Sequence, residues 1–203
     1  MAHDKPQSPL DEKPDEWSQV QAEKDLKKVA RSERSVIHYQ HFVLRLVLLI
    51  LVLWVLLFKL VGLTHMPNND MYPRVDAGDL VLFYRLDKDM KFQDIAVIEK
   101  VTPDSGGEKE LFISRVVAAP GDTVDLSENG RMIVNGNGVI ESNIFYDTYP
   151  YEGYTEFPVT LGPGEYFVLA DSRENGADSR YFGPVTQDEI LGTVISILRR
   201  NNL

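Results

Sequence analysis

The longest apolar segment of the chain covers residues 42–63, and only Arg45 and Lys59 interrupt it, one near each end. At 1.5 Å per residue, a helix of this length spans about 33 Å, enough to cross the hydrocarbon core of a bilayer. A cleaved secretory signal would be shorter, nearer the N-terminus and followed by a small-residue cleavage site. A buried soluble helix fits poorly because residues 46–58 are apolar without a break. The pattern therefore predicts a transmembrane helix over residues 36–63.

Beyond the apolar segment, the sequence changes to short runs rich in β-branched and aromatic residues, which are typical of strands. Turn signals containing Gly, Pro or Asn separate these runs, and Asn129-Gly130 predicts a hairpin. No long helical periodicity follows the apolar segment, so residues 64–203 are predicted to form a mostly β domain. The strand candidates are 79–86, 94–100, 110–118, 123–126, 131–136, 165–171 and 190–198.

One segment of this domain, residues 141–158, is rich in aromatic and turn-forming residues and is predicted to be an insertion loop. Its tyrosines fit two arrangements. They can form an exposed binding patch, or they can pack over the sheet and stay partly buried.

Charge is distributed unevenly along the chain. Residues 1–63 sum to +1 and residues 64–203 sum to −11, which together give the net charge of −10. An acidic domain argues against a nucleic-acid partner, because phosphate binding requires a basic face. The chain has no cysteine, so disulfides, thiolate metal sites and cysteine nucleophiles are excluded.

Flanking charge also predicts the orientation of the transmembrane helix. Basic residues are concentrated on its N-terminal side, at Lys24, Lys27, Lys28, Arg31 and Arg34. By the positive-inside rule, residues 1–35 are predicted to be cytoplasmic, and residues 64–203 are predicted to lie outside a cell membrane that the chain crosses once. Residues 1–15 are polar and proline-spaced, as in disordered segments.

Several motifs of the β domain, in order, resemble those of type I signal peptidase, the S26 family. MPNNDMYP at 66–73, with Gly78-Asp79 after it, resembles the nucleophile box P-S-G-S-M-x-P-T followed by G-D. Residues 79–84 resemble the strand that follows that box. SRVVAAPGD at 114–122 resembles K-R-v-i-g-l-P-G-D, and ADSRENGADSRYFGP at 170–184 resembles G-D-N-R-x-N-S-x-D-S-R-Y-f-G-P. The resemblance implies a two-sheet β domain with a peptide-binding groove that faces the membrane, and it implies no cofactor.

The same resemblance implies structural roles for two acidic and two basic residues of the last motif. Asp171 with Arg173, and Asp178 with Arg180, resemble the charged scaffold behind the active site of the family. Gly121 and Gly183 are expected to supply backbone angles or close packing that a side chain would forbid.

Two positions of these motifs lack the residues that the family uses for catalysis. Asp70 occupies the position of the nucleophilic serine, and Ser114 that of the lysine general base. A carboxylate is a weak nucleophile toward an amide, and a hydroxyl of high pKa is not a general base. Asn68 corresponds to a serine of the oxyanion hole, and Gly176 corresponds to a serine that positions the lysine. These differences predict that the family reaction is not catalysed.

Three other kinds of site could use the same residues, but the residue types give them little support. In a reversed dyad, Ser114 would attack the substrate and Asp70 would act as the base, although an aspartate normally has too low a pKa to deprotonate serine. An aspartic dyad, or a metal site that uses Asp70 and His65, lacks supporting ligand spacing.

A peptide groove can persist without catalysis, and an extended peptide would then add to it as a strand. The resemblance assigns its lining to Met66, Pro67, Asn68, Met71, Val75 and Ile113. Asp70 would either favour a ligand that carries lysine or a free amine, or be solvated in a vestigial cleft.

The combination most resembles the noncatalytic signal-peptidase-like proteins of Gram-positive pilus gene clusters. The first hypothesis is therefore an accessory or chaperone-like membrane protein that binds a pilin subunit, a sortase or another secreted peptide segment. The second is an active signal peptidase I-type serine endopeptidase with atypical catalytic residues, which would process signal peptides. The third is a structural membrane protein without a peptide ligand.

Overall fold

The computed structural model of the chain describes residues 16–141, 144 and 146–199, so the predicted disorder of residues 1–15 lies outside the described part. The first element, α1, is a helix over Glu16–Leu60. Its portion His38–Leu60 has a mean hydropathy of 2.7 and is long and apolar enough to cross a membrane. The helix ends three residues before the predicted boundary at residue 63, because the next residues form the first strand.

Eleven strands and one short helix follow α1 in the described residues. In chain order they are β1 (Val61–His65), β2 (Leu80–Tyr84), β3 (Ile95–Val101), β4 (Lys109–Ala118), β5 (Thr123–Leu126), β6 (Met132–Val134), β7 (Asn137–Gly138), β8 (Val159–Thr160), β9 (Glu165–Leu169), α2 (Ser179–Phe182), β10 (Val185–Thr186) and β11 (Ile190–Leu198).

The strands form two antiparallel sheets. The larger has the order β1-β2-β11-β3-β4-β9-β10, and the smaller has the order β7-β6-β5-β8. Each of the seven strand candidates overlaps an observed strand, with bounds that differ by at most a few residues. The Asn129-Gly130 turn joins β5 to β6, where Leu126 pairs with Met132. The mostly β, two-sheet fold expected from the motifs is thus confirmed.

Four strands were not predicted from the sequence. The first three residues of β1 fall within the predicted transmembrane helix, because Val61 and Leu63 continue the apolar run. The strands β7, β8 and β10 have two residues each, too few for an alternating pattern.

Three clusters of buried side chains form the core. One face of β3 and β4 packs with α2, and it includes Phe112, Val116 and Phe182. The opposite face of these strands packs against the segment after β1, and a third cluster joins the two sheets. Gly121 and Gly183 have positive φ angles of 91° and 78°, and a Cβ at either position would meet no atom within 4 Å. Both glycines are therefore required for backbone conformation rather than for close packing.

Candidate functional site

The segment after β1 carries Asp70 and folds back on itself before β2. The amide of Met66 donates to the carbonyl of Asp79, and the amide of Gly78 donates to the carbonyl of Met66, both at 2.8 Å. A turn follows Asp70, in which the amide of Val75 donates to the carbonyl of Met71 at 3.0 Å. These bonds fix the backbone on both sides of Asp70.

Hydrogen bonds hold Asp70 on two sides. The side-chain amide of Asn68 donates to its carboxylate at 2.7 Å. The amide of Ser172 donates to the Asp70 carbonyl at 2.8 Å. Asp70 therefore connects the segment after β1 to the loop that precedes α2.

Burial raises the pKa of the Asp70 carboxyl above its ordinary value of 3.8. The hydrogen bonds from Asn68 and Ala177 stabilise the charged form and oppose this effect, and the nearby charge of Asp178 adds to it. The net result is a carboxyl group that holds its proton more tightly than an exposed aspartate does.

Ser114 lies on β4, where it pairs with Ala96 of β3. Side chains alternate along a strand, so Ser114 shares a face with the core residues Phe112 and Val116. Its side chain has no solvent exposure, and within residues 16–141, 144 and 146–199 its hydroxyl has no hydrogen-bond partner. The hydroxyl is therefore not hydrogen-bonded to Asp70.

Gly176 occupies a tightly packed point of the loop before α2. A Cβ built at this position would lie 2.1 Å from the Cβ of Ala170 and 2.8 Å from the carbonyl oxygen of Ser172. A serine at Gly176 would therefore require the loop to move.

Three buried arginine–carboxylate pairs support this region. Asp178 caps α2 and pairs with Arg180 at 2.7 Å. The two other scaffold residues that the motifs suggested, Asp171 and Arg173, pair with partners outside the last motif. Arg115 binds both Asp171 oxygens, at 2.7 and 2.6 Å, and Arg173 binds Glu141 at 2.6 Å.

Sequence reasoning did not identify Arg115 or Glu141 as scaffold residues. Arg115 lies in a motif of its own, next to Ser114, and that motif gives no sign of its partner. Glu141 lies in the aromatic segment, which matches no motif. Only the tertiary structure brings these carboxylates and guanidinium groups together.

The residues predicted to line a peptide groove divide into a buried set and an accessible set. Met66, Met71, Val75 and Ile113 are at most 2% exposed and pack together in one core cluster. Pro67 is exposed and Asn68 is half-buried. Of the predicted lining residues, Pro67 and Asn68 are therefore the ones that remain accessible beside Asp70.

One edge of β4 is open next to this surface. β3 pairs with β4 along residues 109–115, whereas β9 pairs with β4 only from Arg115 onward, at Arg115, Val116 and Ala118. In the described part of the chain, no strand pairs with the β9-side edge of residues 109–114. An unpaired strand edge of this kind can accept an extended peptide through main-chain hydrogen bonds.

Comparison with known proteins connects these features to a family. The sequence profile of the family described as "Signal peptidase, peptidase S26" matches residues 37–198. A "Probable signal peptidase I-2" of Synechocystis is 28% identical over 63% of this chain, which spans 58% of that relative's length. An "Inactive signal peptidase IA" of Staphylococcus aureus is 29% identical over 72% of this chain and 83% of its own length. A crystal structure of a signal peptidase I from Enterococcus faecalis, 27% identical, superimposes with a TM-score of 0.40 over 53% of this chain and 97% of that chain.

Proposed function

This chain belongs to the signal peptidase family, peptidase S26, and within that family we propose that it is a catalytically inactive member that binds a secreted peptide segment as an accessory factor in pilus assembly. The observation that supports the loss of catalysis is the environment of Ser114, whose hydroxyl is fully buried and has no hydrogen-bond partner among the described residues. Ser114 is the one hydroxyl that could act as nucleophile at these two positions, in a reversed dyad with Asp70. A nucleophile must reach its substrate and must be hydrogen-bonded to its base, and Ser114 meets neither condition in the described part of the chain.

Asp70 and Gly176 support the same proposal. The Asp70 carboxylate accepts a hydrogen bond from Asn68, and a carboxylate is by its nature a weak nucleophile toward an amide. At Gly176 the loop leaves no room for the serine that positions the base in the resembling motif. The relative from Staphylococcus aureus is itself named an inactive signal peptidase.

The open edge of β4 supports peptide binding. An extended segment that adds along residues 109–114 would run toward Ser114 and the segment that contains Asp70. Pro67 and Asn68 supply accessible contacts there. Because the four buried groove residues fill the adjacent core, main-chain hydrogen bonds to β4 would supply most of the binding, and side-chain pockets would supply less.

A membrane location completes the proposal. The apolar helix His38–Leu60 would anchor the chain, and the basic residues on its N-terminal side would keep residues 1–35 in the cytoplasm. The β domain would then face the compartment in which pilin subunits and sortases meet. We propose one of these, or another secreted peptide segment, as its partner.

A cleavage assay tests the loss of catalysis. The full-length chain in detergent, incubated with a preprotein, should release no signal peptide, and neither Asp70→Ser nor the double variant Asp70→Ser/Ser114→Lys should restore cleavage. Several relatives are named signal peptidase I, which keeps an active enzyme as the second candidate. Specific cleavage that disappears in Ser114→Ala would establish that candidate instead.

A photo-crosslinking assay tests peptide binding separately. Tyr72, 51% exposed and two residues after Asp70, is replaced by p-benzoylphenylalanine, and the full-length chain is irradiated with a labelled pilin. The same substitution at Phe92, 50% exposed, is the matched control. We expect crosslinking at position 72 and not at position 92. Equal crosslinking at both positions, or none at position 72, would contradict the proposal.

A further inference from the structure

The aromatic segment between β7 and β8 forms one wall of a cavity of about 450 Å³ that no motif of the family suggested. The lining residues are Tyr146, Asp147, Tyr149, Pro150, Tyr151, Arg173, Glu174 and Arg180. Tyr149 is 49% exposed and Tyr146 is 44% exposed. The sequence allows the tyrosines of this segment either to form an exposed patch or to pack over the sheet. The tyrosines that line the cavity combine the two arrangements, because the fold holds them in place and their side chains remain accessible.

The wall of this cavity, here called the tyrosine pocket, is held in place by specific bonds. The amide of Thr148 donates to the carbonyl of Gly130, and the Thr148 hydroxyl accepts from Arg173 at 2.6 Å. Arg180 donates to the carbonyl of Tyr149 at 3.1 Å and stacks over the ring of Tyr151 at 4.3 Å. A pocket built in this way loses little conformational freedom when it binds a ligand.

The electrostatic balance of the pocket favours a cation. Both of its arginines are already occupied, Arg173 by Glu141 and Arg180 by Asp178. Asp147 and Glu174 are exposed, and neither forms an ion pair within the described residues. The faces of the tyrosine rings add a surface that attracts ammonium and guanidinium groups. The pocket therefore combines two carboxylates with aromatic rings around a space large enough for a long side chain.

The tyrosine pocket is also connected to the candidate peptide site. The Tyr151 hydroxyl donates to the carbonyl of Gly176 at 2.9 Å, and the amide of Ser172, in the same loop, donates to the carbonyl of Asp70 at 2.8 Å. Tyr151 and Glu174 also line a second hollow, which runs along residues 174–177. A chain that leaves the Asp70 region along this loop would reach the tyrosine pocket.

We propose that the tyrosine pocket binds a lysine side chain of the peptide whose main chain adds to β4. This inference rests on the proposed function, because it specifies the chemistry of the peptide bound at that same site. The lysine ammonium would lie between Asp147 and Glu174, and its methylene groups would pack against the tyrosine rings.

The test measures binding to the full-length chain in detergent by fluorescence anisotropy. Two labelled, end-blocked peptides are identical except for lysine or norleucine at one central position, so that they differ in the ammonium group alone. We expect the lysine peptide to bind about tenfold more tightly. The double variant Asp147→Asn/Glu174→Gln should reduce this preference to about twofold. The control, Glu152→Gln/Glu156→Gln, removes the same charge from exposed carboxylates outside the pocket and should leave the preference intact.

A second pair of variants tests the aromatic wall. Tyr149→Leu keeps apolar bulk but removes the ring, and it should weaken the preference for lysine about threefold. Tyr154→Leu, at a tyrosine of similar exposure that does not line the pocket, should not weaken it. Equal affinity for the two peptides, or a preference for lysine that survives Asp147→Asn/Glu174→Gln, would overturn the inference.

The Tyr72 crosslink separates failure of this inference from failure of the proposed function. If the norleucine peptide crosslinks at position 72 while lysine gives no advantage, the peptide site stands and the inference about the tyrosine pocket is wrong. If lysine is preferred through Asp147 and Glu174 but nothing crosslinks at position 72, the pocket is supported and the proposed peptide site is wrong.

Discussion

The side-chain amide of Asn68 donates a 2.7 Å hydrogen bond to the carboxylate of Asp70. In the resembling motif, these two positions hold an oxyanion-hole donor and the nucleophile, which act on opposite ends of one substrate carbonyl. Here they bind each other. The donor is thus engaged within the protein, and the Ser172 amide, which donates to the Asp70 carbonyl at 2.8 Å, connects Asp70 to the loop before α2.

The buried hydroxyl of Ser114 leads to a prediction about stability. Burial removes the hydrogen bonds of a hydroxyl to water, and without a partner in the protein no new hydrogen bond compensates for that loss. We therefore expect Ser114→Ala to raise the free energy of unfolding by about 1 kcal/mol. Thermal unfolding of the full-length chain in detergent, followed by circular dichroism, measures the change.

Ser179→Ala provides the matched control for this variant. Ser179 is equally buried, but its hydroxyl accepts a hydrogen bond from the Val168 amide at 3.0 Å. Removing it leaves that amide unsatisfied and should lower the free energy of unfolding by about 1–2 kcal/mol. A destabilised Ser114→Ala would show that its hydroxyl has a partner and would contradict the prediction.

The raised pKa of Asp70 predicts a pH dependence with a definite sign. A carboxyl whose pKa is higher in the folded than in the unfolded state stabilises the fold fully below the unfolded value, here near 3.8, and loses that contribution as pH rises through the folded pKa. Asn at this position keeps an acceptor oxygen and cannot ionise. The melting temperature of Asp70→Asn minus that of the unchanged chain should therefore increase as pH rises above about 4.

This comparison is made by calorimetry in detergent at a series of pH values. Ser114→Ala, which removes no titratable group, is the control, and its difference from the unchanged chain should stay constant with pH. A difference for Asp70→Asn that shrinks as pH rises would mean that hydrogen bonding outweighs burial and lowers the Asp70 pKa.

The close packing at Gly176 predicts that restoring the serine of the family motif would destabilise the fold. A side chain there would overlap Ala170 and the Ser172 carbonyl, so Gly176→Ser should lower the free energy of unfolding by about 2–3 kcal/mol. Gly138→Ser is the matched control, because a Cβ at Gly138 meets no atom within 4 Å. Equal melting temperatures for the two variants would show that the loop adapts at little cost.

Much of the fold could be predicted from the sequence, because alternation and turn residues mark local structure. Seven of the eleven described strands and the β5–β6 hairpin follow from such local patterns. The boundary between α1 and β1 could not be predicted in this way, because residues 61–63 continue the apolar run of the helix. Pairing with β2 is what distinguishes β1 from the helix. A two-residue strand is too short to show an alternating pattern, so it is recognised only by the strand with which it pairs.

The candidate site was predictable in part for a related reason. Motifs identified which positions matter, and residue chemistry showed that Asp70 and Ser114 cannot perform the family reaction. Motifs could not show that Ser114 lacks a hydrogen-bond partner or that Met66 and Ile113 pack into the core. Nor could they show that Asp147 and Glu174 line one cavity, because long-range contacts bring these residues together.

The Arg115–Asp171 pair provides the last prediction, which concerns the scaffold behind the site. Both side chains are buried, at 7% and 2% exposure, and two hydrogen bonds of 2.7 and 2.6 Å join them. Asp171→Asn removes the charge and leaves the guanidinium buried without a counter-ion, so we expect a loss of about 3–5 kcal/mol in the free energy of unfolding.

Glu189→Gln is the comparison variant, because the Lys100–Glu189 pair is more accessible, at 11% and 25% exposure. This variant should lower the free energy of unfolding by about 1 kcal/mol. Melting temperatures of both variants measure the two effects, and a cost for Asp171→Asn no larger than that for Glu189→Gln would mean that the Arg115–Asp171 pair does not hold β4 to the loop after β9.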